Sequence, residues 1–215
     1  MENLSATINK QEYKREFIYD DVVVLNTAFE SIVVDIRQYK IAENRINATI
    51  ERQLFQFLKD SEYNLFIEAV TVYKEAVANG YPIRPFESLL DYNVTYNDNG
   101  LLSLYRDRYD YTGGAHGITI RKSDTYNLKT GAKVPLDAFF PNQYNYMQYL
   151  IDEMIKIAKQ DPSIYFENYQ ELIIKYFNPK SYYLTPNGIA IYYQQYEIAP
   201  YSTGIVVFEI PYKLK

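Results

Sequence analysis

Residues 89–109 read LLDYNVTYNDNGLLSLYRDRY, and this stretch decides the fold. Two β-rich runs, Leu89–Tyr96 and Leu101–Tyr109, lie on either side of Asn97-Asp-Asn-Gly100. Glycine and asparagine tolerate the positive φ angles that a tight hairpin turn needs. We therefore predict an antiparallel hairpin here. A further strand, Ile118–Tyr126, is predicted to follow it.

Upstream of the hairpin, residues 13–36 carry three β-rich runs, which predict extended edge or hairpin structure. From Ile41 to Ala78 the apolar residues follow helical spacing, and Asn79-Gly80 is a helix stop signal. The polar patch Lys59-Asp-Ser-Glu62 indicates a division into two helices, because one uninterrupted helix of this length is unusual in a small domain.

Downstream, helical spacing returns at Tyr144–Lys159 and at Tyr165–Phe177, and Asp161-Pro162 is a predicted start for the second of these helices. Strands are then predicted at Tyr182–Leu184, Ile189–Gln194 and Gly204–Ile210. Runs of strands separated from runs of helices predict an α+β fold, with antiparallel sheets packed against helices. We divide it into two closely associated subdomains, residues 1–110 and 111–215.

The composition excludes several classes of protein. A net charge of −5 and a pI near 5.1 argue against nucleic-acid binding, which needs a basic surface. An acidic surface suits a cationic partner, although ordinary solubility also explains it. The chain has no cysteine, which excludes disulfides and thiolate metal sites, and no stretch long and apolar enough for a membrane span. Residues 1–6 lack the basic and apolar regions of a signal peptide.

The motif YTGGAHG, residues 111–117, holds the one histidine, His116. A single imidazole cannot build a multi-histidine metal site, and no Gly-x-Ser-x-Gly sequence supplies a nucleophile, so a small enzyme based on His116 is a minor alternative. The glycines do not precede a helix, as a phosphate-binding loop would require. We interpret Gly113, Gly114 and Gly117 as a structural turn between strands, and expect neither a metal nor a cofactor.

The chain contains 25 tyrosines, a residue type that is enriched in recognition surfaces and also common in strands. Near the C-terminus, residues 196–204 read YEIAPYSTG and are predicted to form an ordered loop. This loop is either a structural corner beneath the sheet or a ligand contact. By motif position and chemistry, five residues are candidates for contact with a partner: Tyr111, His116, Tyr196, Glu197 and Tyr201.

Five segments together resemble a known bacterial module: Tyr109–Gly117, Tyr126–Gly131, Leu136–Phe140, Tyr196–Tyr201 and Ile210–Tyr212. The module is the extracytoplasmic region of RsiV-type anti-sigma factors, which sense lysozyme, and it also precedes the catalytic domain of PdaC-type peptidoglycan deacetylases. In this resemblance the early strands and the helix around Ile46 correspond to the N-terminal domain. The segment after Gly117 corresponds to the C-terminal one.

The resemblance implies recognition without catalysis. This chain shows neither the membrane helix of an RsiV-type factor nor the metal-dependent deacetylase domain of a PdaC-type enzyme, which one histidine cannot provide. It implies an extracytoplasmic or cell-surface location, with any signal or anchor removed from this chain, and a protein partner such as lysozyme. The alternative is an accessory module of a cell-wall enzyme that binds peptidoglycan or another glycan.

Overall fold

The N-terminal strands form a long hairpin in the computed structural model, which describes residues 4–212. Strands β1 (Thr7–Tyr19) and β2 (Val22–Asp35) pair antiparallel around Asp20 and Asp21, whose φ angles are 53° and 61°. The three predicted β-rich runs thus belong to two strands, because the polar residues among 26–30 do not interrupt the pairing of β2 with β1. Of the two predicted subdomains, residues 1–3 and 213–215 lie outside the described residues.

A long helical segment follows and packs on the sheet. It consists of α1 (Lys40–Lys59), a π-helical turn (Asp60–Leu65) and α2 (Phe66–Asn79). The predicted division is confirmed: α1 ends at Lys59, and the π-helical turn within the polar patch separates it from α2. Buried Ser61 donates a hydrogen bond to the Phe57 carbonyl at 2.7 Å, which satisfies its hydroxyl inside the helix. The helix ends at Gly80, with φ of 70°, as predicted.

The central hairpin is confirmed. Strands β3 (Phe86–Asp98) and β4 (Leu101–Tyr111) are joined by Asn99 and Gly100, whose φ angles of 51° and 78° are those of a tight hairpin turn. Strand β5 (Ile118–Asn127) completes a sheet of order β1-β2-β3-β4-β5. The pair of strands β2 and β3 departs from the predicted antiparallel arrangement. The helices carry the chain back across the sheet, so β2 and β3 run parallel.

The second subdomain packs two helices on a smaller sheet. Its helices are α3 (Tyr146–Ala158) and α4 (Tyr169–Tyr176), and its antiparallel strands are β6 (Tyr182–Leu184), β7 (Gly188–Tyr193) and β8 (Val206–Pro211). The predicted helix start at Asp161-Pro162 is wrong. This proline begins only a short 3₁₀ turn, and the next residues are held extended because the Phe166 N–H bonds the Ile198 carbonyl at 3.1 Å.

Each subdomain has its own apolar core, which confirms the α+β fold of two subdomains. Ile46, Ile50 and Phe57 of α1 pack on the larger sheet, and Leu150, Met154 and Ile173 pack on the smaller one. Strand β5 lies beyond residue 110 but belongs to the larger sheet, and the exact subdomain boundary stays a prediction.

The two sheets meet through polar and aromatic contacts. The Ser103 hydroxyl lies 2.8 Å from that of Thr125 and accepts the Leu184 N–H at 2.9 Å, while the Tyr105 and Tyr183 rings lie 5.0 Å apart. Satisfied buried polar groups of this kind fix one orientation of the sheets. Among residues 4–212, no helix is both long enough and apolar enough to cross a membrane.

Candidate functional site

The YTGGAHG loop joins β4 to β5 and depends on its glycines. Gly113 and Gly114 have φ angles of 99° and 87°, which side-chain-bearing residues rarely adopt. Gly117 has a different constraint: a Cβ there would lie 2.5 Å from both the Asp110 carbonyl oxygen and the Tyr109 ring. Backbone geometry therefore accounts for all three glycines. The loop leads into strand β5 rather than into a helix.

His116 in this loop contacts the C-terminal loop, residues 196–204. Its ring stacks on Tyr201 with centroids 3.7 Å apart and an interplanar angle of 16°. The Tyr196 hydroxyl lies 3.4 Å from His116 Nε2, and the Tyr196 ring lies 5.8 Å from that of Tyr201. We refer to His116, Tyr196 and Tyr201 as the aromatic cluster. His116 is exposed and Tyr196 is 48% exposed, so the cluster presents ring surface to solvent.

The other two candidate residues shape the loops. The Tyr111 hydroxyl donates to the Gly114 carbonyl at 3.2 Å within its own loop. The Glu197 carboxylate accepts the Gln194 N–H at 2.7 Å and so closes the turn that precedes the cluster. Burial raises the pKa of Glu197, and the bond from Gln194 opposes this increase. That Tyr111 and Glu197 contact a partner stays a prediction.

The C-terminal loop is fixed to the edge of β5 by two glutamines. Gln195 Oε1 accepts the Thr119 N–H at 2.7 Å, and Gln194 Oε1 accepts the Arg121 N–H at 2.9 Å. Tyr196 then takes a positive φ of 67°, which turns the chain toward the YTGGAHG loop. Tyr201 begins a short 3₁₀ turn that ends at Gly204. The cluster is therefore held by bonds between β5 of the larger sheet and the loop that follows β7 of the smaller sheet.

The His116 ring has few hydrogen-bond partners. Within residues 4–212 its ring nitrogens have two polar neighbours, the Gly117 carbonyl at 3.3 Å from Nδ1 and the Tyr196 hydroxyl. Neither is a carboxylate that could orient the imidazole for proton transfer, as catalytic triads require. The ring offers one π face and hydrogen bonding at its edge.

A groove of about 870 Å³, which the sequence did not indicate, lies beside β5. Its walls are formed by β5, residues 133–137, residues 178–182 and the end of β7. No motif in the sequence could reveal this groove, because its walls come from segments far apart in the chain. Gln194 lines one end of the groove, and its bond to Arg121 also helps to hold the loop that carries the aromatic cluster.

Comparison with known proteins relates the chain to two domain families. Residues 32–119 match the family described as "Deacetylase PdaC", and residues 137–213 match "Protein of unknown function (DUF3298)". No curated protein sequence gives a significant match.

Two solved structures share the fold. A DUF3298 family member from Bacteroides fragilis superposes with a TM-score of 0.70 at 17% identity, over 99% of this chain and 93% of that one. A DUF3298 family protein from Pseudomonas aeruginosa superposes with a TM-score of 0.60 at 17% identity, over 97% and 91% of the two chains. The resemblance to RsiV-type anti-sigma factors stays a prediction. The chain is therefore similar to the PdaC family over residues 32–119 and to the DUF3298 family over residues 137–213.

Proposed function

We propose that this chain is a non-catalytic recognition domain of a bacterial cell-envelope protein, and that it binds its partner through the aromatic cluster. The observation that carries the proposal is the stacking of His116 on Tyr201, which joins a loop of the larger sheet and a loop of the smaller sheet into one exposed surface. Rigid aromatic side chains supply contact area at low entropic cost, and such residues dominate binding energy at protein interfaces.

The similarity to PdaC-type and DUF3298-type domains supports an accessory module, and the extracytoplasmic location is part of the same proposal. The partner that we propose is a cationic protein such as lysozyme. A net charge of −5 favours encounter with a cationic partner, while the exposed rings of the aromatic cluster would supply affinity as the partner buries them.

Titration calorimetry with C-type lysozyme tests this partner directly. We expect a complex whose affinity falls about 10-fold or more in His116→Ala and in Tyr196→Ala, because central aromatic residues typically cost over 1 kcal/mol when truncated. Tyr81→Ala is the matched control, since Tyr81 is 66% exposed and lies outside the cluster. Absence of heat at tens of micromolar would exclude lysozyme, and equal affinity in all variants would exclude the aromatic cluster.

The second candidate is an accessory module that binds peptidoglycan or another glycan. It is favoured by the same exposed rings, because a sugar ring can pack its apolar face on an aromatic side chain. Sedimentation with purified peptidoglycan separates the two candidates. Binding that is lost in Tyr196→Ala and kept in Tyr81→Ala would favour the glycan, and a chain that stays in the supernatant would count against it.

A further inference from the structure

The groove beside β5 has a charge opposite to that of the chain as a whole. Five lining side chains are cationic, namely Arg106, Arg121, Lys122, Lys133 and Lys180. Two are carboxylates, Asp124 and Asp137. The excess of positive charge is notable on a protein with a net charge of −5, because it would attract an anionic ligand to this one place.

Three of the five cations are already held by carboxylates. Asp124 is buried and accepts from Arg106 at 3.0 Å and Lys133 at 2.5 Å. The Arg121 guanidinium bonds both carboxylate oxygens of Asp107, at 2.8 and 2.6 Å. These pairs give the groove fixed walls, since each charged group is positioned by its partner.

The remaining two cations are available to a ligand. Lys122 on β5 and Lys180 in the turn before β6 are exposed, and neither ammonium group forms an ion pair within residues 4–212. Asp137 is the only lining carboxylate without an ion pair in that range. The free charges therefore leave one positive charge in excess, and they lie on two different walls.

Backbone groups of β5 also face the groove. The Thr119 and Arg121 N–H groups point away from β4 toward glutamine side chains, and the Thr125 carbonyl accepts the Val134 N–H at 2.8 Å. Ser123 lies between Arg121 and Thr125 on β5. Backbone groups alternate in direction along a strand, so the N–H and carbonyl of Ser123 also point away from β4, toward the groove. They form no hydrogen bond within residues 4–212. A ligand in the groove would thus meet a donor and an acceptor beside the lysines.

The size of the groove selects among anionic ligands. A volume of about 870 Å³ suits a small molecule, and the open part of the β5 edge is too short to pair with a peptide strand. Tyr146 is half-buried and provides ring surface beside the polar groups, while the buried rings of Tyr182 and Tyr192 support the wall behind it. We infer that the groove binds a small anionic saccharide, with Lys122 and Lys180 holding its carboxylate or phosphate groups.

Titration calorimetry on the full chain tests this site with charged and neutral sugars. Digalacturonic acid, with neutral galactobiose as its counterpart, probes carboxylates, and trehalose 6-phosphate, with trehalose as its counterpart, probes phosphate. We expect one or both charged sugars to bind at least about 10-fold more tightly than the neutral counterpart, with affinity that weakens as salt rises. Whichever charged sugar binds identifies the acidic group.

The double variant Lys122→Gln/Lys180→Gln should weaken that binding about 10-fold or more. Lys129→Gln/Lys159→Gln is the matched control, because it removes two exposed lysines outside the groove. Three results would overturn the inference: no charged sugar binding at millimolar concentration, neutral sugars binding equally, or equal losses in the two double variants. Tighter binding of triglutamate than of either charged sugar would also overturn it. The aromatic cluster contains neither lysine, so these results are independent of the proposed function.

Discussion

The side-chain amide of Gln194 bonds the main chain of Arg121 in both directions. Its Oε1 accepts the Arg121 N–H at 2.9 Å, and its Nε2 donates to the Arg121 carbonyl at 2.7 Å. The amide therefore imitates one residue of a neighbouring strand at the edge of β5. This contact joins the two sheets at a point between the aromatic cluster and the groove.

Gln194→Ala should destabilise the protein by about 1–3 kcal/mol, because it leaves an amide and a carbonyl of β5 without their partners. The midpoint and slope of urea unfolding would measure the change. Gln148→Ala is the control: Gln148 is exposed on α3 and bonds Asp152, so its loss should cost within about 0.5 kcal/mol. Equal costs for the two variants would show that Gln194 does not stabilise the contact between the two sheets.

Gly117→Ala should also destabilise the fold, by about 1–3 kcal/mol, since the new methyl group would overlap the Asp110 carbonyl and the Tyr109 ring. Thermal unfolding would report the loss, and the NMR signals of the Tyr109 ring should shift. Ala115→Ser in the same loop is exposed and should change stability by no more than about 0.5 kcal/mol. A Gly117→Ala protein as stable as this control would contradict the close approach.

Two buried tyrosines should respond in opposite ways to loss of the hydroxyl. Tyr92 and Tyr193 are each 1% exposed, and burial raises the pKa of Tyr92 to about 12. The Tyr193 hydroxyl donates to the Ile173 carbonyl at 2.8 Å, whereas that of Tyr92 has no hydrogen-bond partner within residues 4–212. Tyr193→Phe should cost about 0.5–1.5 kcal/mol, and Tyr92→Phe should be neutral or stabilising. Chemical denaturation compares them, and a greater cost for Tyr92→Phe would refute this difference.

Glu197 should make stability depend on pH. Burial raises its pKa in the folded protein above the ordinary value of 4.5, so the folded state retains a proton that the unfolded state releases. The stability from this group is thus complete below that ordinary value and is lost as pH rises through the folded pKa. Glu197→Gln stays neutral at every pH and can still accept the Gln194 N–H. Its free energy of unfolding should therefore rise relative to that of wild type as pH increases from about 4 to about 7.

Urea unfolding at several pH values across this range checks the difference. Glu75→Gln is the control, because it removes one charge from an exposed position of α2. If the difference between wild type and Glu197→Gln stays constant with pH, or matches that of the control, the effect does not come from burial of Glu197.

Much of the local structure could be predicted from the sequence. The turn at Asn99 and Gly100 needs positive φ angles that few residue types accept, and Gly80 ends its helix for the same reason. One local prediction failed. Pro162 does not start the helix that was predicted there, because tertiary contacts hold the residues after it extended.

The candidate site was predicted in part. The residue types in the YTGGAHG and YEIAPY motifs pointed to ordered loops, but nothing in the linear sequence could show that His116 stacks on Tyr201. Such a contact depends on how the two sheets are oriented, which is set by side chains such as Gln194 and Ser103. The groove was not predicted at all, because its cations come from separate segments.

The sequence by itself determined the order of helices and strands, the central hairpin with its turn at Gly100, and the helix end at Gly80. Each of these depends on the conformational preferences of residues that are neighbours in the chain. Only the tertiary structure decided that β2 and β3 run parallel, that His116 meets Tyr201, and that Lys122 and Lys180 line one groove. These relations arise when distant segments bury their apolar faces together, and their energy is gained only after the whole chain has folded.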